Sequence, residues 1–217
     1  MFDTKKFKNL IFDFDGVIID SVAIKNKAFL QTVSTYSNLI KKKFMKFHLD
    51  NLGISRIKKY EFFCRKVLRI KNSKSLEKKL SNNYSRIIEK KLIKVKFIKG
   101  AKKFISNNEE KALFIISGTP QKELIKICNK KNISKYFLKI LGSPKTKNQN
   151  IKYLKKKYKI NRKNTVFFGD ANTDFDVAKK YNLAFIQVGN NMKNSKVKLK
   201  IKDFHDNKIK EYLNERT

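Results

Sequence analysis

Short apolar runs alternate along this chain with longer stretches in which apolar residues recur every three or four positions. The runs lie at about residues 10–14, 112–116, 137–141, 165–168 and 184–189. Runs of this length, closed by Gly, Asp or Ser, are typical of strands buried on both faces. Because helical spacing separates them, we predict an α/β fold with a doubly wound, Rossmann-like parallel sheet.

The longest interruption lies between the first two runs and is helical in pattern. Asp20 or Ser21 is a suitable N-cap for the helix that opens it. Further helices fit about residues 56–70 and 74–93, whereas the Lys-rich stretch 39–59 shows only a mixed pattern. We therefore expect a small all-helical block inserted after the first strand. Later helices are predicted at about 101–107, 147–158 and 174–181.

Polar residues follow four of the apolar runs at the point where each run ends. In chain order the groups are Asp13 with Asp15, Ser117 with Gly118 and Thr119, Lys145 with Lys147, and Asp170 with Asp174. Parallel strands share one direction, so these groups gather at one edge of the sheet, where ligands bind in open α/β folds. Each group alone is common by chance, but their joint appearance in this order is not.

The gathered residue types indicate phosphate chemistry. Several carboxylates crowd together only around a cation, and a small set of oxygen ligands suits Mg²⁺. A hydroxyl and backbone N–H groups at a helix start can hold phosphate oxygens. One Asp can attack phosphorus to form an aspartyl-phosphate, and a second can move the protons.

These motifs resemble those of the haloacid dehalogenase-like phosphohydrolases. The first motif of that family, Asp-x-Asp-Gly-x-x-x-Asp-Ser, stands here at residues 13–21. An apolar strand ending in Ser or Thr matches Ser117, and Gly-Asp-x-x-x-Asp matches residues 169–174. The resemblance implies a core of residues 1–20 and 95–217 with a helical cap of residues 21–94.

The resemblance also implies a role for each matching residue. Asp13 would be the nucleophile and a Mg²⁺ ligand, and Asp15 would be the general acid/base, with its backbone carbonyl on the metal. Ser117 would hold the phosphoryl group, with Gly118 and Thr119 beside it. Asp170 would bind Mg²⁺, supported by Asp174. An acid at position 15 favours a phosphatase or phosphomutase over a dehalogenase.

The family's lysine motif is less clear here. Both Lys145 and Lys147 are available, and Lys147 is preferred because it is nearer the first turn of the following helix. Residues of the cap would select the substrate. The cap has many Lys and Arg residues, and the sequence pattern does not show which of them would contact it. His48, also in the cap, is interpreted as solvated or packed rather than as a substrate contact.

Charge and composition suggest few functions beyond those indicated by the motifs. The chain has 53 Lys and Arg against 18 Asp and Glu, a net charge of +35. The basic residues are mostly Lys spread over the whole length, which favours compositional bias over a nucleic-acid site. The start of the chain lacks the pattern of a signal peptide, no apolar stretch is long enough to span a membrane, and neither cysteine is in a Cys-x-x-Cys pair. We expect a cytoplasmic protein without membrane or nucleic-acid partners.

The sequence thus predicts a Mg²⁺-dependent phosphatase of a small phosphorylated metabolite, of the phosphoglycolate or sugar-phosphate kind. It would work through an aspartyl-phosphate as a monomer or homodimer. A β-phosphoglucomutase-like phosphomutase would use the same residues and is the alternative. A polyanion-binding protein on the same scaffold is a third hypothesis, suggested only by the charge.

Overall fold

A computed structural model describes residues 7–192 and 195–214. Within them lies a six-stranded sheet in the order β3-β2-β1-β4-β5-β6, in which every strand pair is parallel. The strands are β1 Asn9–Phe12, β2 Ala112–Pro120, β3 Lys139–Ser143, β4 Thr165–Gly169, β5 Ala184–Val188 and β6 Leu199–Ile201. The predicted doubly wound α/β class is confirmed.

The first apolar run forms β1 at the centre of the sheet, and its side chains alternate between two cores. Leu10 and Phe12 pack with the larger apolar cluster on one face, and Ile11 packs with the smaller cluster on the other. All three are fully buried. Burial on both faces explains why the run reads as continuously apolar rather than alternating.

After β1 the chain first forms four α-helices, which we call the cap helices. They are α1 Val22–Thr32, α2 Asn38–Asp50, α3 Arg56–Phe62 and α4 Lys74–Lys94. An inserted helical block was predicted, and it is present. The exact division at residues 20/21 and 94/95 stays a prediction.

Two details of the cap helices differ from the pattern. A full helix, α2, occupies much of the mixed stretch 39–59, and it was missed because only Phe44 and His48 are buried on it. The predicted helix 56–70 ends as an α-helix at Phe62 and continues as a π-helical turn, Phe63–Val67. The wider turn gives a Leu68 N–H to Phe63 carbonyl bond.

The remaining helices cover the sheet or close its loops. They are α5 Ala101–Ser106, α6 Gln121–Lys130, α7 Lys147–Tyr158, α8 Asn172–Lys180 and α9 Lys208–Asn214. The three helices α6, α7 and α8 each start just after a strand ends, so their N-termini lie at the carboxyl edge of the sheet. That edge carries the candidate site.

Candidate active site

The site forms where the strand order reverses. β1 lies between β2, toward one side of the sheet, and β4, which begins the other side. At such a reversal the loops leave the strands in opposite directions and open a crevice at the carboxyl ends. Asp13 follows β1, and Asp170 follows β4. The predicted strand-end groups therefore meet at the reversal.

Three carboxylates are concentrated in this crevice. Asp13, Asp170 and Asp174 each offer one oxygen, and these oxygens all lie within 4.8 Å of one another. Their residues are 2%, 3% and 0% exposed. Oδ1 of Asp13 is buried without a hydrogen-bond partner among the described residues. A buried, unpartnered carboxylate oxygen is costly and indicates a missing ligand.

Burial raises the pKa of all three carboxyls, and repulsion from neighbouring carboxylates adds to the shift at Asp13 and Asp170. The pKa of Asp170 rises to about 7, chiefly through burial and then through Asp174. The pKa of Asp13 rises well above its usual range, although Lys147 opposes the shift. The pKa of Asp174 is also raised by burial. A divalent cation among these oxygens would reverse the effect, so this hard oxygen donor set fits Mg²⁺.

Lys147 is the basic residue that the structure brings to the carboxylates. Its ammonium lies 3.1 Å from Asp13 Oδ2 and 2.5 Å from Asp174 Oδ1. Burial would lower its pKa, but the two carboxylates raise it, so Lys147 stays protonated. Thr146 caps α7 and Gln149 completes the capping box, which fixes the first turn that carries Lys147. Lys145 is exposed and lies outside the cluster, over the ring of Tyr153.

Asp15 is held by a separate set of partners. Ser21 donates a hydrogen bond to Oδ1 at 2.6 Å, and Thr119 donates to Oδ2 at 3.0 Å. Lys25, from cap helix α1, forms an ion pair with the same Oδ2. Burial would raise the pKa of Asp15, but Lys25 and these hydrogen bonds lower it, so Asp15 is ionised here.

The side chain of Ser21, at the start of α1, forms a hydrogen bond other than the predicted helix N-cap. Ser21 is the N-cap residue of α1, one of the two candidates that the pattern predicted, but its side chain makes no capping hydrogen bond. The hydroxyl is used on Asp15 instead. This hydrogen bond links the start of cap helix α1 to the carboxylate of Asp15.

The Ser117-Gly118-Thr119 group lies at an irregularity in β2. The pairing of β2 with β3 shifts register between Ile116 and Pro120, which frees the backbone of the group from the ladder. Ser117 is buried, and its Oγ accepts a 3.1 Å hydrogen bond from the Thr119 N–H. α6 starts directly afterwards, so its N-terminal dipole also faces the site.

Gly16 permits the close packing of the two aspartate loops. Its φ is +79°, in the left-handed region that favours glycine. A Cβ at this position would overlap the carboxylate of Asp170. Any other residue would thus displace a member of the carboxylate cluster.

The cap contacts the core directly beside the site. Thr173 Oγ1 donates a 2.7 Å hydrogen bond to the carbonyl of Leu52, in the loop between α2 and α3. A Cβ on Gly118 would lie 2.5 Å from the carbonyl oxygen of Gly53, so two glycines let the backbones meet. This contact separates a cavity of about 70 Å³ at the carboxylates from one of about 570 Å³ that borders Ser117 and Lys147.

The small cavity has a basic wall supplied by the cap. Lys25, Arg56, Lys59 and His48 line it, opposite Asp13 and the other core residues. Pattern reasoning did not single out the first three, since nothing local distinguishes them among 53 Lys and Arg. Arg56 and Lys59 are three residues apart and so lie on one face of α3, while Lys25 lies on α1. This spacing identifies a cavity wall only once the packing of α1 against α3 is known.

The family model of haloacid dehalogenase-like hydrolases matches residues 10–188. This chain therefore belongs to the haloacid dehalogenase-like hydrolases. Comparison with curated proteins yields no significant match.

Solved structures share the fold over nearly the full length. A β-phosphoglucomutase from Clostridium difficile has a TM-score of 0.75 at 19% identity, covering 96% of this chain and 97% of that one. A structure described as a predicted phosphoglycolate phosphatase from Haemophilus somnus 129PT has a TM-score of 0.73 at 17% identity, covering 95% and 98%. CbbY from Rhodobacter sphaeroides, solved with phosphate, has a TM-score of 0.71 at 12% identity, covering 93% and 96%. At these identities the likeness establishes the fold.

The family and its hydrolase class, both predicted from the motifs, are confirmed. Within the described residues, no helix combines the length and apolar character required to cross a bilayer.

Proposed function

We propose that this protein is a Mg²⁺-dependent phosphatase that hydrolyses a small phosphorylated metabolite through an aspartyl-phosphate. The observation that carries the proposal is the unpartnered, buried Oδ1 of Asp13 beside Asp170, Asp174 and Lys147. A carboxylate oxygen kept free of hydrogen bonds in a cluster of this kind is available both to a cation and to an electrophile.

Asp13 is the nucleophile in this proposal. One of its carboxylate oxygens attacks phosphorus, the bond between phosphorus and the ester oxygen breaks, and the aspartyl-phosphate forms. Water then attacks phosphorus, releasing inorganic phosphate and restoring the carboxylate. Lys147 keeps one oxygen of Asp13 in place, 3.1 Å from its ammonium, throughout both steps.

Asp13, Asp170 and the backbone carbonyl of Asp15 would hold Mg²⁺, with Asp174 supporting the site. When bound, the cation neutralises carboxylate and phosphate charge and so permits the two anions to meet. Asp174 also accepts the 2.5 Å hydrogen bond from Lys147, and therefore links the metal ligands to the lysine.

Asp15 moves the protons. It protonates the departing ester oxygen in the first step and takes a proton from water in the second. Its ionised state beside Lys25 suits the second task, whereas the first requires proton uptake when substrate binds. Thr119, which donates to the same oxygen, orients the carboxyl for both steps.

Ser117, the backbone of Gly118 and Thr119, and Lys147 would bind the phosphoryl oxygens. Lys147 lies 3.1 Å from Asp13 Oδ2, and Ser117 is buried at the end of β2. Hydroxyl and N–H donors at a helix start, with one ammonium, form a suitable cradle for the three oxygens.

Phosphoglycolate-like and sugar-phosphate-like esters are the substrates we consider first, and a phosphomutase remains the second candidate. The fold likeness to a β-phosphoglucomutase favours testing it. A mutase must protect the aspartyl-phosphate from water, and the closed contact between Thr173 and Leu52 beside the site is compatible with that requirement. We keep the expected cytoplasmic location and the monomeric or homodimeric state as predictions.

The test is a panel of phosphorylated metabolites assayed with Mg²⁺ and with EDTA, including a hexose 1-phosphate with product analysis. We expect Mg²⁺-dependent release of phosphate and a loss of at least about 10³-fold in kcat for Asp13→Asn. Asp50→Asn, an exposed aspartate of the cap that pairs with Lys46, is the matched control. Full activity of Asp13→Asn, or no turnover across the panel, would reject the proposal.

A further inference from the structure

Lys59 is a buried lysine that the mechanism above does not use. It lies on cap helix α3, is 3% exposed, and lines the small cavity opposite the core carboxylates. Among the described residues, no carboxylate is paired with it in a salt bridge. Its ammonium contacts the ring of Phe29, 5.0 Å from the centroid. A buried ammonium without an acidic partner is costly and, in a substrate cavity, indicates an anionic ligand.

The hydrogen bonds around Lys59 leave it one free donor. His48 Nε2 lies 2.7 Å from Asn26 Oδ1 and donates to it, so Nδ1 carries the lone pair. Lys59 Nζ donates to that Nδ1 at 2.8 Å and is 3.5 Å from the His48 carbonyl. An ammonium has three N–H groups, and the third remains for a ligand. Asn26 and His48 thus position the lysine.

The charges of the basic wall leave a single positive charge uncompensated. Lys25 is paired with Asp15, and Arg56 is paired with Glu123 of α6 at 2.9 Å, both pairs being mostly buried. Lys59 is the remaining cation. A single uncompensated cation matches a carboxylate, which carries one negative charge, better than a second phosphate, which carries nearly two.

We infer that the leaving group of the substrate carries a carboxylate that binds Lys59, so that the substrate is a small phosphorylated hydroxy acid. This inference rests on the proposed phosphatase function. It assigns Lys59 as the specificity-determining residue, with His48 and Asn26 as its positioning residues.

The ionisation of Lys59 supports this assignment. Burial, and then the charge of Lys25, lowers the pKa of Lys59 to about 7. Burial and the Lys59 charge together lower the pKa of His48 to about 3, so His48 stays a neutral acceptor. A carboxylate on Lys59 would raise its pKa again, which means that the acid binds best where Lys59 is protonated, below about pH 7.

The experiment compares 2-phosphoglycolate with its carboxamide, which differ only in the charge of the leaving group. We expect the wild type to favour the acid by about 10–100-fold in KM, the range of a charged hydrogen bond. Lys59→Met should raise KM for the acid by that factor and leave the amide within about threefold. Lys66→Met is the matched control, since Lys66 is exposed in the π-helical turn that continues the same helix. It should leave both substrates unchanged.

A pH profile supplies a second readout. The ratio of KM for the acid to KM for the amide should be constant below about pH 7 and rise above it, by up to about tenfold per pH unit. The ratio cancels the titration of the shared phosphate group and of Asp170, which also lines the cavity and whose pKa is raised to about 7. The charged and titratable groups facing Lys59 are Lys25, Asp15, Lys147 and His48. The pKa of His48 is about 3, that of Asp15 is lowered and that of Lys147 is raised, so these three keep their charge between pH 6 and 9.

Binding to Asp13→Asn separates this inference from the proposed function. Calorimetric titration of that variant with acid and amide should show the same preference, and Lys59→Met added to it should abolish the preference. Equal affinity for acid and amide, an equal effect of Lys59→Met on both, or a Lys59-dependent preference for a hexose bisphosphate would overturn the inference. Preference for the acid in binding, with no turnover by the wild type, would support it and reject the phosphatase.

Discussion

The two walls of the active-site cleft carry opposite charge, although the chain as a whole is strongly basic. The core edge places three carboxylates within 4.8 Å of one another, with Lys147 among them. The cap wall places Lys25, Arg56 and Lys59 around the small cavity. Only 18 residues of 217 are acidic, so this concentration at one strand reversal is not a consequence of composition.

Comparing the core wall with the cap wall shows which charges are compensated and which are not. On the core wall, repulsion between buried acids is relieved by one lysine and, in our proposal, by a cation. On the cap wall, two of the three cations are cancelled by Asp15 and Glu123. In our proposal the two walls have different roles: the core binds the reacting phosphoryl group, and the cap recognises the rest of the substrate. Four substitutions test this division, two of them on the cap lysines.

The largest effect is expected on the core wall. Asp174→Asn removes one carboxylate of the cluster and weakens the 2.5 Å pair with Lys147. We expect activity to fall by about 100-fold or more and the Mg²⁺-induced rise in Tm to shrink. Asp50→Asn, at the exposed aspartate of the cap that pairs with Lys46, should behave like the wild type. Unchanged metal response in Asp174→Asn would remove this residue from the metal site.

On the cap wall, Lys59→Met should increase stability while it weakens substrate binding. The folded-state pKa of Lys59, about 7, lies below its usual 10.5, so the unfolded chain binds the proton more tightly. Stability attributable to this group therefore rises with pH between about 7 and 10.5. We expect the variant to be more stable than the wild type by about 1–3 kcal/mol at pH 6, with the difference shrinking toward pH 10. Denaturant unfolding at both pH values measures it, and a pH-independent difference would contradict it.

A smaller effect is expected where the walls touch. Lys25→Met removes the cation that lowers the pKa of Asp15 against burial. That pKa should rise, so the acid limb of the kcat/KM profile moves to higher pH, and kcat falls by about tenfold. Lys27→Met, exposed on the same helix, is the control. An unmoved acid limb would show that Asp15 does not depend on Lys25.

The smallest change concerns Arg56. Glu123→Gln leaves this guanidinium, now paired at 2.9 Å, without its carboxylate. A second free cation in the cavity should lower KM for substrates with a dianionic leaving group by about threefold and leave neutral ones unaffected. Competition between a hexose bisphosphate and the carboxamide measures the ratio. No change would mean that the unpaired guanidinium of Arg56 does not contact the substrate.

Pattern reasoning succeeded best where structure is local and buried. β1 and β4 were predicted within two residues because burial on both faces leaves a continuous apolar run. It failed at α2, whose buried face is narrow, and it extended α3 through a π-helical turn that depends on how Phe63 and Cys64 pack. The candidate residues on the core edge were named in advance, whereas Lys25, Arg56 and Lys59 were not.

By itself the sequence determined the sheet, the inserted helices and the convergence of Asp13, Asp15, Ser117, Asp170 and Asp174 at one edge. Parallel strands require that convergence, whatever the side chains do. Only the tertiary structure decided that Lys147 rather than Lys145 reaches the carboxylates. It also decided that Glu123 pairs with Arg56, whereas Lys59 has no acidic partner among the described residues. Those outcomes depend on pairs far apart in the chain, and among 53 basic residues no local signal identifies them.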